Sequence, residues 1–130
     1  MADLLKDIGD YLIAAGIAVA DGTDLFRDKV PDSPDAVIVL SEYGGSPMSL
    51  YIEAMDRSVQ VIVRATTYVA AKRTSWLAFN AIVNPDQSMM DFTTSRWGIV
   101  HARHNPMKMG EDKHSRISFV FNLGITTQGD

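Results

Sequence analysis

Three histidines lie close together near the C-terminus: His101, His104 and His114. Neutral imidazole is a common metal ligand, so spacing decides whether they can converge. On a strand, residues three apart point to opposite faces, which separates His101 from His104. His104 and His114 can face each other across a hairpin. Two nitrogen ligands with no placed carboxylate still fall short of a zinc site. The expectation is cross-strand or surface histidines and no metal.

Carboxylates pair by spacing at Glu53 with Asp56 and at Asp86 with Asp91. All four read as loop residues with no nucleophile or base beside them. General acid–base chemistry needs geometry that loop spacing does not supply. Gly44-Gly45 is not followed by Lys-Ser/Thr or by a helix start, so it is no phosphate cradle. A turn requiring positive φ explains it better. Arg57, Arg64, Arg96, Arg103 and Arg116 fall on or beside strands. They can pair with acids of a neighbouring molecule or simply dress solvated strand faces. No catalytic residue, cofactor site or metal site emerges, and the chain reads as a non-enzyme.

The elements that must carry these residues alternate in kind. Residues 3–15 place Leu4, Leu5, Ile8, Leu12 and Ala15 at helical spacing, and Gly16 fits a C-terminal cap. Residues 17–26 read as short extended pieces about a turn at Asp21-Gly22, and Pro31 to Pro34 as a loop. AVIVLS, 36–41, is a buried strand. Glu42 to about Asp56 is taken as a long loop opened by the two glycines and Pro47. RSVQVIVRAT, 57–66, alternates as a strand. Residues 68–83 form a second helix capped by Thr66 or Thr67, with Val69, Lys72, Trp76, Phe79 and Val83 as its stripe. Asn84-Pro85 ends it, and 85–94 is a loop or ragged strand. Arg96 to Ile125 is a hairpin of two strands around a loop at 105–114.

The last strand carries the clearest periodicity in the chain. Ile117, Phe119, Phe121, Leu123 and Ile125 share one face. Helix, strand, strand, helix, strand, strand is most simply an α+β two-layer sandwich. It has a mainly antiparallel sheet of about four strands and two helices on one face.

At 130 residues the chain fits a single domain, 1–130, and buries roughly two-thirds of its unfolded surface. There is no cysteine, which excludes disulfides and thiolate metal sites. Twelve basic against sixteen acidic residues give a formal charge of −4, a poor balance for non-specific nucleic-acid binding. No apolar run approaches a membrane span. Asp3, Lys6, Asp7 and Asp10 interrupt the N-terminus too often for a secretion signal. Of seven methionines, Met48, Met89, Met90, Met107 and Met109 fall in loops or at loop edges, where flexible thioethers suit adaptable contacts or irregular packing. Met48, Leu50, Tyr51, Ile52 and Met55 are too apolar for a solvated loop, and either fold back on the sheet or bury in a neighbour.

The order of these segments resembles a known family. LLKDIGDYLIAAGIA, LFRDKVPDSPDAVIVL, EYGG with its following proline, RSVQVIVRATTY leading to a helix with Trp76, and SRISFVFNL behind Gly110-Glu111-Asp112 together look like the phage minor capsid or tail-completion family. That family includes tail terminator proteins of long non-contractile-tailed phages. The resemblance covers nearly the whole chain. The family often has a more basic residue near the Gly110 loop; here Lys108 and Lys113 flank it and Glu111 sits inside.

The resemblance implies a structural virion protein of the tail and neck, assembled in the host cytoplasm. It would form a ring, usually a hexamer, that ends tube polymerisation and joins the tail to the head connector. The implied partners are further copies of itself, the tail tube protein and the head connector or head-completion protein. DNA only passes through the lumen, and no membrane is involved. Candidate interface residues are Glu42, Tyr43, Gly44, Gly45, Met48, Tyr51, Met55, Arg64, Met107, Lys108, Met109, Glu111 and Arg116. The alternatives are another neck component, such as a head-completion or adaptor protein, and a small ligand-binding α+β domain. The last would need a pocket with converging polar groups, such as two or more of the histidines.

Overall fold

A computed structural model describes residues 4–18, 22–46, 54–82, 89–90 and 98–128. The elements are α1 (Leu4–Ala14), β1 (Leu25–Arg27), β2 (Val37–Ser46), β3 (Ala54–Ala65), α2 (Tyr68–Ile82), β4 (Met89–Met90), β5 (Gly98–Ala102), β6 (Met107–Glu111) and β7 (Ile117–Gln128). The sheet runs β1-β2-β3-β7-β5-β4, and β6 also pairs with β7. Among the described residues only β1 and β2 pair in parallel.

This is the expected α+β layering, with seven strands among the described residues in place of about four. The four expected strands correspond to β2, β3, β5 and β7. The additions are β1 and β4, with three and two residues, and β6. Stretches that short carry no readable alternation.

Alternation on β3 and β7 sets the two faces. Val59, Val61 and Val63 join Phe121, Leu123 and Ile125 in one core with Leu5, Ile8 and Leu12 of α1 and Ala78, Phe79 and Ile82 of α2. Both helices therefore cover the same face. Fully burying each large apolar side chain is worth about 1.5–3 kcal/mol. The opposite face carries a row in register across five strands: Phe26, Val39, Ile62, Val120 and Met107.

The local signals mostly hold. Gly16 ends α1 at φ +77°, the left-handed cap. Thr67 Oγ accepts from the Ala70 N–H at 3.1 Å and caps α2. The buried stripe of α2 differs from the expected one. It runs through Ala71, Ser75, Ala78, Phe79 and Ile82, while Val69 is 72% exposed. Small residues let the helix approach the sheet, so the closest face is not its most hydrophobic one. Val83 lies outside the described residues.

The expected loop from Glu42 to Asp56 is corrected as well. β2 continues to Ser46 and β3 begins at Ala54. Tyr43 pairs with Ser58 and Gly45 with Arg57, so Gly44 is the extra residue of a β-bulge rather than the end of the strand.

Candidate functional site

The hairpin also departs from expectation. β5 and β6 both run antiparallel to β7, one beyond the other, so residues 98–111 form one interrupted strand along it. Met107 to Glu111, expected in a loop, are paired to β7 with a bulge at Met109. The turn proper is 112–116, and Asp112 organises it. Its Oδ1 accepts from the His114 and Arg116 N–H groups at 2.9 Å each, and its Oδ2 from Arg116 Nε at 2.7 Å. Ser115 takes a left-handed φ of 62° to close the turn.

Arg116 and Arg64 point away from the helices and are buried. Arg116 Nη1 donates to the Asp32 carbonyl and lies 3.4 Å from Asp35 Oδ1. Arg64 donates from Nε to the Asp35 carbonyl at 3.0 Å and from Nη2 to the Pro34 carbonyl at 2.7 Å. The two guanidiniums thus pin the crossover 28–36, between parallel β1 and β2, onto the sheet. Sequence alone leaves these residues either a neighbour's acids or a solvated strand face; the structure pairs both inside the chain. Arg57 likewise donates to Glu42 through two bonds of 2.5 and 2.8 Å. Arg103 Nη2 donates to Ser58 Oγ at 2.9 Å. Arg96 lies outside the described residues.

Burial raises the Asp112 carboxyl, but the hydrogen bonds from Arg116 and His114 outweigh it and hold the group at about 2, against an ordinary 3.8. Burial also lowers Arg64, helped by the nearby charge of Arg116. For Arg116 the cost of burial is outweighed by Asp112, and its pKa is raised. The depressed Asp112 value sets a sign. As pH falls, the unfolded chain takes up the proton first, so stability is full above about 3.8 and is lost toward 2. Melting temperatures of wild type and Asp112→Asn should therefore differ most at neutral pH and converge as pH approaches 2. A constant gap would show that the carboxylate charge does not secure the turn.

His104 and His114 do not converge. His104 Nδ1 lies 2.8 Å from the Asn105 carbonyl, and its Nε2 lies 2.9 Å from Asn122 Nδ2. Neutral imidazole fits both contacts, with Nδ1–H donating and Nε2 accepting. His114 sits in the turn at the other end of β6, so the two do not face each other across the hairpin. His101 lies on β5 opposite Gly124. Among the described residues no three His, Cys, Asp or Glu side chains cluster as metal ligands. An open groove of about 190 Å³ is lined by Asp24, Arg64 and Thr74 among aliphatic residues, and no histidine reaches it. It is smaller than an ordinary ligand pocket.

The exposed features lie on and beside β6. Met107 and Met109 are each 53% exposed, and Lys108 and Glu111 are exposed between and beyond them. Among the described residues β6 is paired along one edge, to β7. Next to it, Tyr68 packs on Phe119 with ring centroids 5.4 Å apart. Lys72 and Lys108 both lie over the Tyr68 ring, at 5.7 and 6.0 Å from its centroid. Sequence reading missed this patch because it placed Val69 and Lys72 in the core stripe. The signal within reach was Ala71, Ser75 and Ala78, small residues at helical spacing that can form the contact side and so turn Val69 outward.

Of the other interface candidates, Glu42 is exposed, while Tyr43, Gly44 and Gly45 form the bulged end of β2 and Met55, on β3, pairs with Thr127 of β7. Met48 and Tyr51 lie outside the described residues, as do Leu50 and Ile52. Among the carboxylate pairs, Asp56 lies on β3 opposite Ser46, and Glu53, Asp86 and Asp91 lie outside the described residues.

An α+β sheet with an exposed apolar edge suits a protein that assembles. The sequence matches the bacteriophage tail terminator family over residues 11–128, and the chain belongs to that family. It is a structural protein of the phage tail. A chain from the virion of a native gene transfer agent particle shares its fold, with a TM-score of 0.66 at 16% identity, covering 97% of this chain and 95% of that one. Among curated proteins no sequence matches it.

Proposed function

We propose that the chain closes into a ring of identical subunits, six in the usual case, at the head-proximal end of the tail tube. There it ends tube polymerisation and joins the tail to the head connector. Its partners are its own copies, the tail tube protein and the connector or head-completion protein, assembled in the host cytoplasm. DNA passes through the lumen without being held, which an acidic chain of −4 favours if acids line the channel. Among the described residues no helix is long and apolar enough to cross a membrane.

The observation that carries this reading is β6, an edge with no second partner among the described residues and with two half-exposed methionines, in a member of the tail terminator family. Unpaired edges invite strand or side-chain contact from another chain. The opposite end of the sheet, at β1, presents a different surface, and a head-to-tail ring needs two unlike patches on each subunit.

Light scattering on the purified protein tests it. The expected mass is about six times the 14.3 kDa chain. Met107→Asp with Met109→Asp should leave the circular dichroism spectrum and melting unchanged. It should raise the concentration needed for assembly by about tenfold or more, or about 1.4 kcal/mol per tenfold. A wild-type monomer at high concentration contradicts the ring; unchanged assembly by the double variant returns β6 to a purely internal role.

A further inference from the structure

The surface around Tyr68 is unusual for a chain with an excess of acids. Tyr68 is 44% and Val69 72% exposed, at the first turn of α2. Lys72 and Lys108 share the Tyr68 ring, and Arg73 stands exposed one turn after Val69. None of these three cations has an ion-pair partner among the described residues. Glu111 and Lys113 at the end of the hairpin offset each other. The result is an aromatic and aliphatic spot ringed by three uncompensated positive charges.

A surface of matching chemistry exists on the same chain. In the crossover 28–36, Val30 is 54% exposed, and Asp28, Asp32 and Asp35 are exposed around it. Asp35 keeps 61% of its side chain accessible even while it faces Arg116. Within 28–36 Lys29 cancels one of the three acidic charges; Arg64 and Arg116 lie against this segment but are buried, so the charges it presents at the surface are predominantly acidic. The two surfaces cannot meet within one subunit. Tyr68 and Lys108 lie on the helix-covered face, since Tyr68 stacks on Phe119 and Lys108 is in register with it. The crossover is pinned to the other face by Arg64 and Arg116.

We infer that Tyr68, Val69, Lys72 and Lys108 of one subunit dock on Val30, Asp28, Asp32 and Asp35 of the next copy. This rests on the ring reading above and names its contact. Apolar atoms at the centre with charges outside match the anatomy of a specific interface, and complementary charge fixes the register. The stitching by Arg64 and Arg116 then has a purpose beyond folding: it holds the crossover in one shape for its partner. Because the surfaces differ, the contact is head-to-tail and continues from subunit to subunit until it closes.

Charge reversal in two halves tests this. One variant carries Lys72→Glu and Lys108→Glu, the other Asp28→Lys and Asp32→Lys; Asp35 is left alone because it faces Arg116. Both should melt as wild type does and remain monomeric at concentrations at least tenfold above those at which wild type assembles. Mixed one to one, they should assemble again, since each altered patch meets its altered complement in an alternating ring. Sedimentation velocity reads all three samples. If both variants assemble as wild type does, the contact is not made by these residues, although a ring still stands. If the variants fail and the mixture also fails, the lysines serve another acidic partner, such as nucleic acid or a different tail protein, and the inference is overturned. A wild type that remains monomeric removes the ring reading itself, and this contact with it.

Discussion

Phe121→Ala should cost about 3–5 kcal/mol of stability, the largest loss expected from any single truncation in the described core. Phe121 is fully buried at the centre of β7, opposite Val61 on β3. Its ring meets Phe79 edge-on, with centroids 5.4 Å apart and planes at 89°, and Phe79 in turn meets Trp76 at 5.4 Å and 70°. This aromatic chain fixes α2 on the sheet, and each such contact adds about 0.5–1.5 kcal/mol beyond buried area. Small domains have only about 5–15 kcal/mol in total, so the variant should be near its limit at growth temperature. Urea unfolding measures it. A loss below about 1.5 kcal/mol would mean that the second helix is not seated on Phe121.

Leu25→Ala should cost about 2–5 kcal/mol, although Leu25 belongs to a strand of three residues. Leu25 is fully buried, and α1 approaches it through Gly9. A Cβ built on Gly9 would sit 2.9 Å from Leu25 Cδ2. Gly9 is therefore present for contact, at the expense of helix propensity. A double-mutant cycle makes the point sharper. Gly9→Ala in the wild-type background meets a filled site, whereas in the Leu25→Ala background it should recover up to about 1 kcal/mol of helix propensity. Additive effects would show that α1 and β1 do not touch as described.

What could be read from the chain followed from local periodicity. The five apolar residues of β7 at every second position all face the helices, as alternation required. Leu5, Ile8 and Leu12 of the α1 seam, the left-handed Gly16 and the Thr67 cap were equally visible, because each depends on neighbours within one turn; Ala15, expected on that seam, is exposed beyond the end of α1. The errors arise where a distant partner decides. Met107-Lys108-Met109-Gly110-Glu111 alternates over three residues only, between Pro106 and Gly110, and pairing with β7 makes it a strand. Gly44 looked like a strand end and is a bulge because β3 continues opposite it.

The arginines illustrate the same limit for the candidate surface. Arg64 and Arg116 bind backbone carbonyls 30 and 84 residues away, which no spacing rule reaches. The side-chain type suggested an ion pair, and most of the partners are peptide oxygens. On α2, ranking by hydrophobicity placed Val69 inward, whereas close packing placed alanine there and turned Val69 to the surface. The exposed patch at Tyr68 follows from that reversal.

The central claim is that a ring of this chain ends the tail. Electron microscopy of particles assembled without the protein tests it most directly, with tail length and head attachment scored on the same images. The expected result is tails longer than in wild-type particles and not joined to heads. Tails of normal length on normally joined heads would contradict it.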